Sequence, residues 1–356
     1  MRWRQLGKHL LGWLRPWQKA QTAPQRRGAM THVVILDGTM SSLKPGEETN
    51  AGLAYRLLTQ VGAPVSLFYE AGIQWRHWRS ASDVIVGRGT DGQIRRAYGW
   101  LASRYRPGDR IFLLGYSRGA FAVRSLAGVI DQVGLLRAEE ATERRVRTAW
   151  RHYQSTPGSP AERAFRRAYC HEGAAIEMLG CFDTVMALGL RWPLIWRWME
   201  SPHDFHNYEL CPVVRHGFHA LALHETREAF APILWSDTER FEGTVEQVWF
   251  PGAHGDVGGQ LGGYEAARPL SNIPFVWMME KAEGCGLPLP EGWRARFPVD
   301  PSAPSCGTWK GWGKLFLIRK RRIVGADPSE RVHESAAARD IARSGGAAGV
   351  VRGSEA

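Results

Sequence analysis

A serine flanked by glycines is the pattern in this 356-residue chain best suited to covalent chemistry. The sequence GYSRG at 115–119 matches Gly-x-Ser-x-Gly, in which the serine sits on a sharp strand-to-helix turn with its hydroxyl exposed. The motif follows the apolar strand candidate 110–114 and precedes a helix of small residues. Gly115 and Gly119 carry no side chain that would collide where strand and helix approach each other. This context predicts Ser117 as the nucleophile of an acyl-transfer reaction.

A serine nucleophile needs a general base and an acidic group that orients the base. Asp183 follows the strand candidate 175–182, and His254 follows the strand candidate 245–250 in a glycine-rich loop. The glycines let the backbone bend so that the imidazole reaches across the edge of the sheet. We therefore predict His254 as the base and Asp183 as the orienting acid. Asp256 is close to His254 in sequence and is the alternative acid, unless it braces the loop.

The negative charge that develops during acyl transfer needs backbone N–H donors, which form an oxyanion hole. The helix that begins near Arg118 directs its positive end toward this charge, and the residue after the nucleophile supplies one donor. A second donor should come from the loop after a neighbouring strand, where Gly38 permits close approach of the backbone. The sequence thus predicts the N–H of Arg118 together with that of Gly38 or Thr39. Asp37 is predicted to shape the turn.

Short apolar segments alternate with amphipathic patterns from residue 31 onward, and these elements must position the reactive side chains. Apolar residues recur at helical spacing over 93–105 and predict an amphipathic helix. Alternation of strands and helices predicts an α/β fold, with a mostly parallel sheet and helices on both faces. The strand candidates are 31–36, 64–69, 110–114, 175–182 and 245–250.

The positive charge of the chain is concentrated at its beginning. The net formal charge is +11, and residues 1–30 contribute seven cations and no acid. Apolar side chains from Trp3 to Trp17 recur on one helical face, which is typical of a helix at a bilayer surface. Residues 1–30 are therefore predicted as a basic arm with a peripheral membrane contact through 1–19. The alternatives are a helix docked on its own domain and a frayed tail. A nucleic-acid-binding protein is disfavoured, because the rest of the chain carries only +4.

Two insertions and a tail are distinguished by composition. Residues 137–170 are charged and helical, and residues 189–211 are aromatic and irregular. Within the second insertion, the segment 190–198 alternates large apolar and basic side chains. It suits a lip at the membrane interface, or a loop packed over the domain. From residue 336 the chain is rich in Ala, Gly, Ser and Arg and is predicted to be disordered, so the catalytic domain is predicted as 31–335.

Cysteine usage and hydropathy favour a protein that folds in the cytoplasm. The five cysteines are odd in number and form no CxxC pair, so neither a disulfide framework nor a zinc site is predicted. The sequence contains no run of about 18 apolar residues, so a membrane-spanning helix is not predicted. We expect a cytoplasmic protein with reversible attachment to a membrane, and leave its secretion open.

These residues resemble the DUF2235 family of α/β-hydrolases, which includes the catalytic domain of type VI secretion phospholipase effectors of the Tle1 kind. The resemblance implies an α/β-hydrolase fold and a Ser–Asp–His hydrolase, with the nucleophile at Ser117, the acid at Asp183 and the base at His254. The chain departs from the family at His224, where an acidic residue is typical. The matching motifs are LDGT at 36–39, YEAGIQW at 69–75, GDRIFLLGYSRGAFAVRSLAGVI at 108–130, GCFDTVMALG at 180–189, HALALHETREAFAP at 219–232, QVWFPGAHGDVGG at 247–259 and VHES at 332–335.

The predicted substrate is a carboxylic ester. Ser–His–Asp chemistry attacks a carbonyl and passes through a covalent acyl-enzyme, so esters and amides are the accessible classes. The two predicted membrane contacts favour acyl esters of lipids, including phospholipids. The alternative function is a catalytically inactive hydrolase scaffold that acts as an interaction module at a membrane or on a protein.

Three other activities are disfavoured because residues that they need are missing. GRGTDG at 87–92 matches a dinucleotide-binding motif, but no acidic residue ends the next strand. A phosphatase motif of the form D-x-D-G-T would need aspartate where the chain has Ile35. His254 and Asp256 lack a second paired motif that would complete a metal site. Neither a metal nor a cofactor is predicted.

Overall fold

The computed structural model of the protein describes residues 28–72, 88–185, 209–236, 238–309 and 316–339. The segments 1–19 and 190–198, for which membrane contacts are predicted, lie outside the described residues.

Seven strands form one sheet within these ranges, in the order β2-β1-β3-β4-β5-β6-β7. Every neighbouring pair is parallel. The α/β fold with a parallel sheet, predicted from the alternation of elements, is confirmed. The strands are β1 (Thr31–Leu36), β2 (Val65–Glu70), β3 (Arg110–Tyr116), β4 (Ile176–Phe182), β5 (Val214–Ala222), β6 (Thr244–Phe250) and β7 (Glu330–Val332).

The five predicted strands are present, with ends that differ from the prediction by at most two residues. The sequence analysis does not predict β5 or β7. In β5, Arg215, His216 and His219 interrupt the apolar run, so the segment lacks the pattern of a buried strand. β7 is only three residues long and half-exposed, so it has no apolar pattern to detect.

Helices cover both faces of the sheet. Side chains of β3 alternate between the two resulting cores: Ile111 and Leu113 face one, and Phe112 and Leu114 face the other. The first core receives α2, α3 and α4, and the second receives α1 and α7. The helix predicted over 93–105 begins and ends earlier than expected. The helices are α1 (Asn50–Leu58), α2 (Arg88–Ala102), α3 (Arg118–Gln132), α4 (Glu143–Tyr153), α5 (Pro160–Tyr169), α6 (His254–Gly258) and α7 (Arg268–Gly284).

The insertion at 137–170 consists mainly of α4 and α5. Thr142 and Ser159 cap the two helices, since each hydroxyl accepts a hydrogen bond from a backbone N–H in the first turn. Trp150 and Phe165 bury their rings in the core that α2 and α3 share. The insertion therefore thickens one helical layer and leaves the edge of the sheet open.

The carboxyl ends of the strands bring together the residues that the sequence predicts as catalytic. β3 leads into Ser117 and β4 leads into Asp183, while His254 follows β6 by a short loop. The ladder continues past these ends: the N–H of Ser117 donates to the carbonyl of Phe182, and the N–H of Asp183 donates to that of Ala220. Because the strands are parallel, all these ends lie on one edge of the sheet.

The last described residues are helical through Arg339, four residues into the predicted tail. Ala336 is buried, and the buried Arg339 donates hydrogen bonds to the carbonyls of Pro301 and Ala303. The boundary predicted at 336 is therefore placed too early. In the part of the chain that the structure describes, no helix combines the length and apolar character needed to span a bilayer.

Candidate active site

Ser117 stands on a sharp turn between β3 and α3. Its φ of 57° and ψ of −122° lie in a region that residues with a side chain rarely adopt. A Cβ added to Gly119 would overlap the carbonyl oxygen of Leu36, and one added to Gly115 would lie 2.5 Å from the carbonyl oxygen of Gly119. The two glycines thus let α3 begin directly against the ends of β1 and β3, which is the arrangement that Gly-x-Ser-x-Gly predicts.

Ser117, His254 and Asp183 lie in one hydrogen-bonded chain. Ser117 Oγ and His254 Nε2 are 2.9 Å apart, and His254 Nδ1 and Asp183 Oδ2 are 2.6 Å apart. All three residues are buried. A carboxylate accepts a hydrogen bond from Nδ1–H, which leaves Nε2 as the acceptor for the serine hydroxyl. In this tautomer the imidazole can remove the serine proton as the oxygen attacks a carbonyl.

Arg322 binds both carboxylate oxygens of Asp183, and the sequence analysis does not predict this contact. Its Nη1 donates to Asp183 Oδ1 at 2.5 Å, and its Nη2 donates to Oδ2 at 2.9 Å. The two side chains are only 4% and 0% exposed. Burial would raise the pKa of Asp183, but the Arg322 guanidinium and His254 outweigh it and hold that pKa well below its usual range. Asp183 is therefore ionised throughout the neutral range.

The turn that carries Asp183 is held by β5. Asp183 has a φ of 43°, and its Oδ1 accepts a hydrogen bond from the N–H of Ala222 at 3.0 Å. The next N–H, that of Thr184, donates to Nε2 of the buried His219 at 3.0 Å. Burial, and then the Arg124 guanidinium, lower the pKa of His219 to about 3. His219 is therefore a neutral acceptor that fixes the backbone beside Asp183.

The loop that carries His254 is fixed by two carboxylates. Glu225 Oε2 accepts the N–H of His254 at 3.1 Å and also pairs with Arg227 at 2.6 Å. Asp256 accepts the N–H of Ala253 at 2.7 Å, the N–H of Cys306 at 2.8 Å and the hydroxyl of Ser305. Asp256 therefore braces the loop, while Asp183 is the carboxylate in contact with the imidazole.

Aromatic rings restrict the position of the imidazole. The Tyr116 ring and the Phe230 ring each lie with their centroid 4.9 Å from that of His254. His224, at the position where the family pattern has an acid, accepts the N–H of Gly252 through Nδ1 at 2.9 Å. The histidine that departs from the pattern thus contributes to the loop that leads into His254.

The loop after β1 lies beside the nucleophile. A Cβ on Gly38 would stand 3.3 Å from Ser117 Cβ. Of the two backbone donors predicted in this loop, Gly38 and Thr39, the N–H of Gly38 donates to Asp37 Oδ1 at 2.7 Å. Thr39 is the member of that pair whose N–H pairs with no carboxylate among the described residues. Arg118 begins α3 immediately after Ser117.

Asp37 has a larger role in this loop than shaping a turn. The hydroxyls of Thr49 and Tyr69 donate to its Oδ2 at 2.6 and 2.7 Å. Burial raises the pKa of Asp37 to about 6, although these hydrogen bonds lower it. The carboxyl group ties β1, β2 and the N-terminus of α1 together behind the loop. Among the described residues, no group of three His, Cys, Asp or Glu side chains could hold a metal ion.

A family model matches residues 30–281, and it is described as the type VI secretion system phospholipase effector Tle1-like catalytic domain. An uncharacterized protein of Saccharomyces cerevisiae is 26% identical over 234 residues, which is 57% of this chain and 32% of that protein. The chain thus spans about a third of the length of this curated relative.

Two solved structures resemble the chain at low identity. A crystal structure of an uncharacterized protein from Pseudomonas aeruginosa has a TM-score of 0.45 and 19% identity, over 82% of this chain and 51% of that one. A structure of the Tle1 effector bound to the VgrG spike of the type 6 secretion system has a TM-score of 0.37 and 18% identity, over 65% and 51%. The chain spans about half the length of each.

Proposed function

Because the chain belongs to the family of Tle1-like catalytic domains of type VI secretion phospholipase effectors, we propose that it hydrolyses acyl esters of lipids through Ser117, His254 and Asp183. The observation that carries the proposal is the chain of hydrogen bonds of 2.9 and 2.6 Å from Ser117 through His254 to Asp183. Its starting point is a serine held at positive φ between a strand and a helix, as a nucleophile elbow requires.

In the first half of the proposed reaction, Ser117 Oγ attacks the ester carbonyl and His254 Nε2 takes its proton. The carbonyl oxygen becomes an oxyanion, which the backbone N–H groups of Arg118 and Thr39 stabilise. The imidazolium that forms lies against the ionised Asp183. His254 then gives its proton to the leaving alcohol oxygen, and the acyl group remains on Ser117 as an ester.

In the second half, a water molecule replaces the alcohol. His254 removes a proton from this water as its oxygen attacks the acyl-enzyme. The second tetrahedral intermediate collapses, the proton passes from His254 to Ser117 Oγ, and the carboxylic acid leaves. Arg322 acts through Asp183, because it favours the ionised carboxylate that holds the imidazole in the productive tautomer.

The proposed substrate class is the phospholipid acyl ester. It is supported by the family, whose description names a phospholipase effector. Peripheral membrane contacts through 1–19 and 190–198 remain predictions from the sequence, and both belong to the proposal. The place of action also belongs to the proposal: cysteine usage favours the cytoplasmic face of a membrane, and the family is compatible with action outside the producing cell.

A fluorophosphonate probe tests the nucleophile, because it labels serines that a base activates. We expect labelling of the wild-type protein at Ser117, confirmed by peptide mass, and none in Ser117→Ala. The matched control is Ser125→Ala, since Ser125 lies on the same helix and its hydroxyl only donates to the Phe121 carbonyl at 3.0 Å. Labelling equal in Ser117→Ala and the wild type would overturn the mechanism, and no labelling of either would favour the inactive scaffold.

Hydrolysis assays test the substrate class. We expect release of fatty acid from phospholipid vesicles by the wild type and by Ser125→Ala, and none by Ser117→Ala. Activity restricted to short soluble acyl esters would remove phospholipids from the proposal and leave the Ser117 mechanism in place.

A further inference from the structure

Residues 316–324, called the strap below, expose an unusual run of apolar side chains. Leu317 is 79% exposed, Ile318 is 56% exposed and Ile323 is 70% exposed. Single exposed apolar residues are common on protein surfaces, but several within one short segment mark an interaction site. The strap therefore presents an apolar surface that neither core of the domain covers.

The strap is attached to the loop that carries part of the active site. The N–H of Lys320 donates to the Thr226 carbonyl at 2.8 Å, and the N–H of Glu228 donates to the Ile318 carbonyl at 3.1 Å. Phe316 lies edge-on to Phe230, with their centroids 5.3 Å apart. Since Phe230 also contacts His254, the strap lies directly above the active site.

One residue of the strap points inward while its neighbours point outward. Arg322 is buried against Asp183, whereas Arg321 and Ile323 on either side of it are exposed. This contact fixes the strap over the carboxyl edge of the sheet. The contact that anchors the strap is therefore the same one that holds Asp183.

Cations accompany the apolar side chains. Lys320 and Arg321 are exposed, and no acidic side chain among the described residues pairs with either. Beside the strap, Trp309 is 58% exposed, and the Arg319 guanidinium lies 3.9 Å from the centroid of its ring. Exposed apolar residues and cations within one short segment, with an indole beside it, are the composition of a site that binds a phospholipid interface.

We propose that the strap, together with Trp309, docks the protein on an anionic phospholipid bilayer with the active-site edge facing the membrane. Leu317, Ile318 and Ile323 enter the boundary between headgroups and acyl chains, and Lys320 and Arg321 meet lipid phosphates. The inference rests on the proposed function, because docking in this orientation would bring Ser117 to the lipid ester that it is proposed to cleave. It does not rest on the two membrane contacts predicted from the sequence.

Vesicle binding by full-length Ser117→Ala protein tests the surface without hydrolysis. The vesicles contain phosphatidylcholine with about one third phosphatidylglycerol, and binding is measured by cosedimentation. Each cation near an anionic surface contributes about fivefold to affinity, so adding Lys320→Glu and Arg321→Glu should weaken binding at least tenfold. Adding Leu317→Ser and Ile318→Ser should weaken it to a similar extent and also on vesicles without anionic lipid.

Matched controls separate the strap from total charge and hydropathy. Arg144→Glu with Arg167→Glu makes the same change of net charge on α4 and α5, where both arginines are exposed. Val299→Ser removes an apolar side chain that is 51% exposed, close to the exposure of Ile318. We expect both control proteins to bind vesicles within about twofold of the parent, because surface charge acts locally within a Debye length.

The outcomes distinguish failure of the docking surface from failure of the proposed function. In protein that retains Ser117, the substitutions Lys320→Glu and Arg321→Glu together should lower the ratio of vesicle hydrolysis to soluble-ester hydrolysis at least tenfold. Equal vesicle binding by strap variants and parent would overturn the docking surface and leave the hydrolase untouched. The docking surface would also be overturned if the parent bound a single-stranded oligonucleotide but no vesicles, and the strap variants lost the oligonucleotide binding. Vesicle binding through the strap without labelling of Ser117 would retain the surface and remove the hydrolase.

Discussion

Replacing Arg322 by methionine tests whether the buried guanidinium acts on the catalytic acid or only on the stability of the fold. Methionine has a similar length and no charge, so it leaves Asp183 as a buried carboxylate without its cation. Removing one partner of a buried ion pair costs about 3–5 kcal/mol of unfolding free energy. We expect a loss in this range at neutral pH, measured by urea unfolding.

The pH dependence of this loss follows from the sign of the shift. The lowered pKa of Asp183 stabilises the folded state at every pH above the unfolded value of about 4, and the contribution disappears as the pH falls through the folded value. In Arg322→Met the cation that lowers this pKa is absent, so the pKa of Asp183 should be higher than in the wild type. The difference in stability between wild type and variant should therefore begin to shrink as the pH falls through the folded pKa of Asp183 in the variant, and it should go on shrinking down to the lower folded pKa of the wild type.

Catalysis should change in a way that stability alone does not produce. Loss of the orienting carboxylate lowers kcat by about 10⁴ in a serine protease, so an Asp183 that has lost its two hydrogen bonds from Arg322 should lower kcat by about ten- to a hundredfold. The acid limb of kcat/KM on a soluble acyl ester should move to higher pH in Arg322→Met. Arg322→Lys keeps a charge but not the two parallel hydrogen bonds. Its acid limb should therefore lie close to that of the wild type, and its kcat should lie between those of the wild type and Arg322→Met.

Arg319→Met is the matched control, since Arg319 lies on the same segment and contacts Thr226 and Thr308 rather than a catalytic residue. We expect its acid limb to coincide with that of the wild type. If Arg322→Met is destabilised but its acid limb also coincides with that of the wild type, then Arg322 supports only the fold, and our account of Asp183 is wrong.

Three further predictions concern neighbouring residues. Gly119→Ala should destabilise the protein by more than about 3 kcal/mol in thermal or urea unfolding, because its Cβ would overlap backbone, whereas Gly284→Ala, with open space around it, should change stability by less than about 1 kcal/mol. Because the pKa of His219 is lowered to about 3, the unfolded chain binds a proton between pH 6.5 and about 3 that the folded chain does not. As the pH falls through this window, the unfolding free energy of the wild type should decrease by up to about 1.4 kcal/mol per pH unit relative to His219→Gln. Parallel curves of stability against pH for the two proteins would contradict this. Asp183→Asn should lower kcat by about 10³–10⁴ and slow fluorophosphonate labelling in parallel, because Asp183 contacts His254 Nδ1. Asp256→Asn should mainly lower the melting temperature, because Asp256 accepts backbone N–H groups of the loop. The reverse pattern would identify Asp256 as the orienting acid.

Residues at the ends of apolar strands could be predicted from the sequence because a parallel sheet gathers those ends on one edge. Ser117 follows β3 and Asp183 follows β4 directly, so recognising the strands was enough to place both side chains together. His254 needed one more step, since a glycine-rich loop separates it from β6. Their catalytic roles remain proposals that the labelling and kinetic experiments address.

Contacts that depend on tertiary packing could not be predicted in this way. Arg322 lies 139 residues from Asp183 on a segment without regular structure, and nothing in the local pattern distinguishes it from Arg319 or Arg321. The strand β5 was missed because its histidines look exposed in sequence, whereas His219 is buried as an acceptor for a backbone N–H. The pairing of Gly38 with Asp37 is a local contact, but its geometry is set only when the loop closes on Ser117.

The long separation between Asp183 and Arg322 bears on how the enzyme is made. A chain emerging from a ribosome exposes Ser117, Asp183 and His254 well before Arg322 has been synthesised. Without its guanidinium, a buried Asp183 is an unpaired charge, which is too unfavourable for the three residues to settle in their final positions. The final arrangement of Ser117, His254 and Asp183 therefore depends on the segment that carries Arg322, which is synthesised after all three.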